Sequence, residues 1–177
     1  MTIKLLGISG SLRKASTNTA LVRAAAKAAG DVEFTMADID LPLFNEDVEA
    51  EGYPAKVEAF VAAIRNADAI VISGPEYNKN ISGVLKNALD WQSRFTPGPL
   101  AGKPVAILSA TAGRSGGELT QFSLRHCLTP FGANVMQQPQ LHVGSNFQET
   151  VFKDGVLTDE KAEEKLVEIM AALVAMA

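Results

Sequence analysis

The hydrophobic positions of this chain form short apolar runs that are separated by segments of helical period. Continuous runs occupy Ile3 to Ile8, Ala69 to Ile72 and Val105 to Leu108, as is typical of parallel strands that are buried on both faces. Residues 32–36 alternate between apolar and polar instead, which predicts a half-exposed edge strand. Residues 133–136 are a weaker candidate for a fifth strand.

The segments between these runs carry apolar residues at helical spacing. The clearest case follows Pro54, where apolar residues stand at i, i+3, i+4 and i+7 from Val57 to Ile64. An alanine-rich helix over residues 20–29 is expected to end at Gly30, because glycine readily takes the left-handed conformation found after helices. Three more helices are predicted around residues 85–89, over residues 119–131 and around residues 166–173.

Strands and helices therefore alternate along the whole chain. Parallel neighbours need right-handed crossovers, whose helices must cover both faces of the sheet. The pattern predicts an α/β fold with a doubly wound, five-stranded parallel sheet. Residues 144–159 are predicted as a long polar connection rather than a linker, so we expect one domain spanning residues 1–177.

Composition narrows the possible partners. The chain is 47% hydrophobic and carries a net charge of −4 without any run of Lys and Arg, which argues against a nucleic-acid partner. No stretch approaches the roughly 18 consecutive apolar residues of a membrane-spanning helix. The first ten residues lack a charged segment followed by an apolar one, so a cytoplasmic location is expected.

The residues that support metal or thiol chemistry are scarce. Cys127 is the only cysteine, and His126 and His142 are the only histidines, so neither a disulfide nor a metal site is predicted. Cys127 is interpreted as a packing residue because it lies between leucines on a predicted helix. The pattern leaves a bound organic cofactor, or no catalysis at all.

Three loops follow strands one, three and four, and ligands of open parallel sheets bind beyond these carboxyl ends. The first loop, residues 9–18, opens directly into a helix and suits a phosphate, because free N–H groups, hydroxyls and a forked guanidinium converge there. It matches neither G-x-G-x-x-G nor the P-loop. The Ser and Thr hydroxyls and the Arg13 guanidinium are its candidate donors. The alternative is that Ser16, Thr17 and Asn18 only cap the helix.

The second loop, residues 74–83, contains Pro75, Glu76, Tyr77 and Asn78. A rigid proline beside a flat tyrosine suits a planar ring, and the N–H groups of residues 76–78 could meet ring heteroatoms. The alternative is a turn that merely reverses the chain. The third loop, residues 111–117, contributes Thr111, Gly113 and Arg114, and its three glycines are expected to allow a ligand close to the backbone.

With these loops in place, the sequence resembles the NADPH-dependent FMN reductase family, particularly its bacterial quinone and chromate reductases. The resemblance rests on residues 10–18, residues 75–78 with 83–91, and residues 111–117, in the family's order and spacing. Two positions depart from it, because Asn80 stands where the family usually has Ser and Ser82 where it has Pro.

The resemblance implies a flavodoxin-like fold that binds FMN through its first two loops. The residues that it implies for the phosphate are Ser11, Arg13, Ser16, Thr17 and Asn18, and those that it implies for the flavin ring are Pro75, Glu76, Tyr77 and Asn78. It implies an enzyme that takes a hydride from NADPH or NADH and reduces a quinone, another flavin, chromate or an azo compound, with no acid–base side chain required. It also implies a homodimer or homotetramer. The helix over residues 84–91 could contribute to the subunit interface, because Trp91 gives it a large apolar end, and the alternative is that Trp91 is an ordinary core residue. The alternatives are a non-enzymatic flavodoxin-like electron carrier and a binding protein for another phosphate.

Overall fold

A computed structural model describes residues 2–177, in which a parallel sheet carries helices on both faces. Its strands are β1 (Ile3–Ser9), β2 (Val32–Met36), β3 (Ala69–Ser73), β4 (Pro104–Ala110), β5 (Asn134–Val135) and β6 (Leu141–Val143). Its helices are α1 (Thr17–Ala28), α2 (Glu46–Ala50), α3 (Ala55–Asn66), α4 (Gly83–Gln92), α5 (Glu118–Leu128) and α6 (Glu160–Val174). The strand order β2-β1-β3-β4-β5 confirms the predicted five-stranded, flavodoxin-like sheet.

The two faces of the sheet are buried by different helices. Alternate residues such as Leu5 and Val71 pack beneath α1 and α6, whereas Leu6 and Ile70 pack beneath α3, α4 and α5. All residues of β3 and β4 are buried. This burial on both faces is the physical reason for the continuous apolar runs in the sequence.

Two short strands occupy the edge of the sheet at which a single fifth strand was predicted. The start of β4 pairs with β5 through Pro104 and Val105, and its end pairs with β6 through Leu108 to Ala110. Two short strands thus share one edge of β4. The three-residue β6 has too few residues to show a period, so the sequence pattern did not indicate it.

Two further elements were not predicted. The short helix α2 lies in the connection that follows β2. The supposed polar connection at residues 144–159 contains an antiparallel hairpin made of β7 (Phe152–Lys153) and β8 (Val156–Leu157). Val151, Phe152 and Leu157 are buried in the same core cluster as α1 and α6. The hairpin therefore extends the core on that face of the sheet.

Helix boundaries follow local capping chemistry. Helix α1 begins three residues earlier than predicted, because Ser16 is the N-cap and its hydroxyl accepts the N–H of Thr19. Pro54 is the N-cap residue of α3, as its position suggested. The predicted helix over residues 119–131 is α5 followed by a 3₁₀ turn at Thr129–Phe131. The start of α1 matters for the site, because it faces the ends of the central strands.

Candidate functional site

The three loops meet at the carboxyl ends of β1, β3 and β4. The first and second loops touch there, since Ser82 Oγ donates to the Gly10 carbonyl at 2.6 Å. A Cβ on Gly10 would stand only 3.1 Å from the Gly74 Cα atom, so close contact between the two loops depends on this glycine. Between the loops lies an open cleft of about 200 Å³. It is lined by Ser11, Arg13, Ser16, Thr17, Asn18, Pro75, Glu76, Tyr77, Ala110, Thr111, Ala112 and Asn146.

Nine of the twelve residues predicted for the site line this cleft. Asn78, Gly113 and Arg114 do not. Asn78 and Arg114 are exposed on the second and third loops. The structure therefore joins most of the predicted residues in one place, although they come from three separate parts of the chain.

The phosphate-loop residue Asn18 has a different role from the one its position suggested. Its side chain is 2% exposed, and its Oδ1 accepts from Ser73 Oγ at 2.8 Å and from the Ala110 N–H at 3.0 Å. Its Nδ2 donates to the Ala110 carbonyl at 2.9 Å. The amide thus joins α1 to the ends of β3 and β4, and its bonds are made within the protein. The backbone N–H of Asn18, in the first turn of α1, has no acceptor within the helix and is suited to an anion.

Three hydroxyls of the first loop are arranged as hydrogen-bond donors. Ser11 Oγ accepts the N–H of Arg13, Ser16 Oγ accepts that of Thr19, and Thr17 Oγ1 accepts from Asn146 Nδ2 at 2.7 Å. None of the three hydroxyls donates its own hydrogen to another residue within 2–177. Their O–H groups are therefore available to a ligand in the cleft.

The charge around this end of the cleft favours an anion. Arg13 is exposed and forms no ion pair with any carboxylate of residues 2–177. The N-terminus of the twelve-residue helix α1 adds the positive end of a helix dipole and two N–H groups that have no acceptor within the helix. A guanidinium, three hydroxyls and these N–H groups fit a phosphate, and they fit the phosphate of FMN.

The second loop contains a tight turn that occupies one of its predicted donors. Tyr77 and Asn80 exchange backbone hydrogen bonds at 3.0 Å in both directions, and the turn residues Asn78 and Lys79 have φ values of 51° and 68°. The Tyr77 N–H therefore cannot serve a ligand, and our expectation for that group was wrong. The Tyr77 ring is 50% exposed beside the cleft, which leaves it accessible to a planar ring.

The third loop is rich in glycine for reasons of internal packing. A Cβ on Gly116 would lie 2.4 Å from the backbone of His142, and one on Gly117 would lie 2.9 Å from Thr111 Cγ2. Both glycines also have positive φ values, 63° and 88°. The expectation that all three glycines make room for a ligand was wrong, because only at Gly113 would a Cβ meet no atom closer than an ordinary contact, Thr111 Oγ1 at 3.9 Å.

Asn146 is a cleft residue that sequence reasoning missed. Its Nδ2 donates to Thr17 Oγ1, and its backbone N–H donates to the Thr111 carbonyl at 3.1 Å. It thus connects the first and third loops from a segment predicted to be only a connection. No local pattern could reveal it, since 129 residues separate it from Thr17.

Other candidate residues have structural roles. Trp91 is completely buried, and its Nε1 donates to the Pro42 carbonyl at 2.7 Å, so its side chain is a core residue of the domain. Burial raises the pKa of the half-buried Cys127 thiol, which disfavours the nucleophilic thiolate. Burial also lowers the pKa of His142. No cluster of three or more potential metal ligands occurs within residues 2–177.

A larger hollow lies elsewhere on the protein. The hollow beside Glu58, Arg65 and Phe95 measures about 420 Å³, but it lies at the C-terminal end of α3, where β3 begins. Ligands of open parallel sheets bind at the opposite, carboxyl ends of the strands. The donor-rich cleft is therefore the candidate site.

Fold and site together define a flavodoxin-like protein with a cleft for a phosphate-bearing cofactor. The family model for NADPH-dependent FMN reductases matches residues 3–148. The chain is 44% identical over 173 residues to an NAD(P)H-dependent FMN reductase of Pseudomonas aeruginosa, covering 97% of this chain and 93% of that protein. It is 40% identical over 182 residues to an NAD(P)H:quinone oxidoreductase of Solanum tuberosum, covering 99% and 93%.

The structure agrees with these sequence matches. The chain superposes on the flavoenzyme NAD(P)H:(acceptor) oxidoreductase FerB from Paracoccus denitrificans with a TM-score of 0.88 and 33% identity, covering 99% of this chain and 97% of the other. The protein belongs to the NADPH-dependent FMN reductase family. The predicted class of enzyme, an FMN-dependent oxidoreductase that uses NAD(P)H, is confirmed, and the family assignment disfavours both the electron carrier and a binding protein for another phosphate.

Proposed function

We propose that the phosphate of FMN binds at the N-terminus of α1 and that the flavin ring extends toward the second and third loops. The observation that carries this proposal is the set of three hydroxyls that each accept one hydrogen bond from the protein and donate none, so that their hydrogens are free. With Arg13 and the first-turn N–H groups of α1, they form a donor set for a phosphate. Asn18 supplies its backbone N–H, while its side chain holds α1 in place.

The ring end of the cleft has a different character. Pro75, Tyr77 and Thr111 line it, and the backbone N–H groups of Glu76 and Asn78 are the remaining donors of the second loop. We assign Gly113 and Arg114 to the outer rim, where exposed positive charge would attract the phosphates of a nicotinamide donor. When bound, FMN supplies the redox chemistry, taking a hydride from NADPH or NADH and passing two electrons to an acceptor.

A quinone is the acceptor that we propose first. The potato relative carries the name NAD(P)H:quinone oxidoreductase and is similar to this chain over nearly its whole length. The exposed Tyr77 ring offers a flat surface that a quinone could stack on. Other flavins, chromate and azo compounds are further candidate acceptors.

We also propose that the chain assembles into a homodimer or homotetramer with the cleft near a subunit boundary. Several large apolar side chains remain exposed on segments around the cleft: Leu12 on the first loop, Tyr77 on the second, Phe122 on α5 and Phe147 beside Asn146. Phe147 is 72% exposed and Phe122 57%. Large apolar side chains left exposed on these segments support an interface with a second copy.

The remaining proposals concern organisation and location. We propose that residues 1–177 act as one domain, because the β7–β8 hairpin and α6 complete the core that covers α1. Cys127 is a free thiol, which supports a reducing compartment such as the cytoplasm. Among residues 2–177, no helix has the length and apolar character needed to cross a membrane.

Flavin binding tests the assignment of the phosphate. Arg13→Ala is expected to weaken FMN binding by about 1–3 kcal/mol, because a charge-assisted hydrogen bond is lost. Riboflavin lacks the phosphate, so its affinity should not change. Both affinities are measured by titration of flavin fluorescence. Equal affinity of the wild-type protein for FMN and riboflavin would contradict the assignment.

Anaerobic reduction tests the enzyme activity. NADPH or NADH alone should bleach the FMN-loaded protein, and a quinone should restore the yellow colour. Because donor and acceptor would use the same open face in turn, steady-state kinetics should give parallel double-reciprocal lines. Failure of both nicotinamides to reduce the protein would refute the proposed activity.

A further inference from the structure

Helix α5 cannot cap its own N-terminus. Its N-cap residue, Gly117, has a left-handed conformation and supplies no side-chain hydrogen bond. A Cβ at this position would lie 2.9 Å from Thr111 Cγ2 and 3.0 Å from Ser109 Cβ, so a capping Ser, Thr or Asp does not fit. The N–H groups of the first turn therefore need an acceptor from another part of the chain.

Glu76 of the second loop supplies that acceptor. Its Oε2 accepts the N–H of Leu119 at 3.1 Å and that of Thr120 at 3.2 Å. The Thr120 hydroxyl donates in return to the Pro75 carbonyl at 3.2 Å, and the Thr120 side chain is 2% exposed. Three hydrogen bonds thus join two segments that are 43 to 45 residues apart.

The first turn of α5 extends this connection to the sheet. Gln121 Nε2 donates to Ser109 Oγ near the end of β4 at 2.9 Å and to the carbonyl of Leu141, the first residue of β6, at 2.7 Å. The third loop ends at Gly117, the N-cap of α5, and Ser109 Oγ donates to the Gly116 carbonyl at 2.6 Å. Glu76 consequently holds the second loop to the helix turn at which the third loop ends. The two walls at the ring end of the cleft are fixed to each other through this turn.

The bonds of Glu76 also make the helix N-termini at the two ends of the cleft different. At α5, a carboxylate of the protein already occupies the N–H groups of Leu119 and Thr120. At α1, the N–H groups of Thr17 and Asn18 have no acceptor within the helix. The N-terminus of α1 therefore has N–H groups that are free to bind a phosphate. At α5 the corresponding N–H groups are already bonded to the Glu76 carboxylate.

We propose that Glu76 is a positioning residue, whose carboxylate fixes the second and third loops as the wall for the flavin ring. This inference rests on the proposed function. It assigns the Glu76 side chain to the ring end of the cleft, acting through α5 rather than by contact with phosphate. Substitution of Glu76 should therefore change affinity for the flavin ring while leaving the contribution of the phosphate intact.

The test compares FMN and riboflavin binding in wild-type protein, Glu76→Ala, Glu76→Gln and Glu118→Gln. Glu76→Ala should weaken both flavins by the same factor, about 10-fold, because two hydrogen bonds to a charged acceptor are lost. Glu76→Gln should weaken both less, since its amide oxygen still accepts. Glu118 is an exposed acid in the same helix turn, so Glu118→Gln removes an equal charge without the bonds and should bind like wild type.

Amide hydrogen exchange gives a second measurement that needs no flavin. The N–H groups of Leu119 and Thr120 should exchange faster in flavin-free Glu76→Ala than in wild type, and at wild-type rates in Glu118→Gln. Wild-type flavin affinities in Glu76→Ala would overturn the proposal. So would a loss confined to FMN, or an equal loss in Glu118→Gln. Wild-type protein that binds neither flavin would instead refute the proposed function, and the exchange rates would still report on the bonds themselves.

Discussion

The buried amide of Asn18 gives a quantitative prediction for the flavin-free protein. Asn18→Ala removes three hydrogen bonds at once and leaves Ser73 Oγ, the Ala110 N–H and the Ala110 carbonyl without their partner. Each buried polar group that loses its partner costs about 1–3 kcal/mol. Partial rearrangement reduces the sum, so we expect a loss of about 3–5 kcal/mol in the free energy of unfolding. That is a large part of the roughly 5–15 kcal/mol by which a typical domain is stable.

A second variant removes only one of the three hydrogen bonds and so checks the free energy assigned to each bond. Ser73→Ala removes one of the three bonds, and the Asn18 Oδ1 keeps its bond to the Ala110 N–H. We therefore expect a loss of about 1 kcal/mol. Urea unfolding followed by circular dichroism measures both variants without FMN, and the transition midpoint should fall while the slope m stays constant.

The result also separates two roles for Asn18. If the side chain were a phosphate ligand, Asn18→Ala would preserve the stability of the flavin-free protein and weaken FMN binding more than riboflavin binding. A loss of less than about 1 kcal/mol in Asn18→Ala would refute the reasoning from buried hydrogen bonds.

Three further predictions concern residues around the cleft and on α5 and β6. Asn146→Ala should weaken FMN binding by about 1 kcal/mol and leave riboflavin binding unchanged, because Thr17 Oγ1 loses the donor that orients its hydroxyl. Equal weakening of both flavins would contradict this prediction. Cys127→Ser should retain NADPH-dependent reduction at the wild-type rate, measured by flavin bleaching, because its raised pKa disfavours a thiolate. For His142, burial favours the neutral imidazole, so stability should be complete above the unfolded pKa of about 6.5 and fall as the pH drops below it. Urea midpoints of wild type and His142→Gln between pH 7 and pH 5 measure this loss, and an identical pH dependence in both proteins would exclude His142 as its source.

The sequence by itself determined the parts of the fold that depend on local period. Residues 5–8 of β1 and the apolar runs of β3 and β4 form the buried part of the central strands, because a strand covered on both faces needs apolar residues at successive positions. The location of the site was also predictable, since loops that follow parallel strands must gather at one edge of the sheet. Nine of the residues predicted on these loops line the cleft, and their part in cofactor binding stays a prediction.

Only the tertiary structure decided what each of these residues does. Asn18 and Glu76 were both expected to serve a ligand, and in each the side chain is bonded to other parts of the protein. Gly116 and Gly117 are required by the packing of His142 and Thr111. The partners of these four residues are between 6 and 92 positions away in the sequence. A local sequence pattern therefore does not reveal which groups they contact. A polar residue in a loop can bind a ligand or hold the backbone, and the choice depends on which hydrogen-bonding groups the folded chain places within reach.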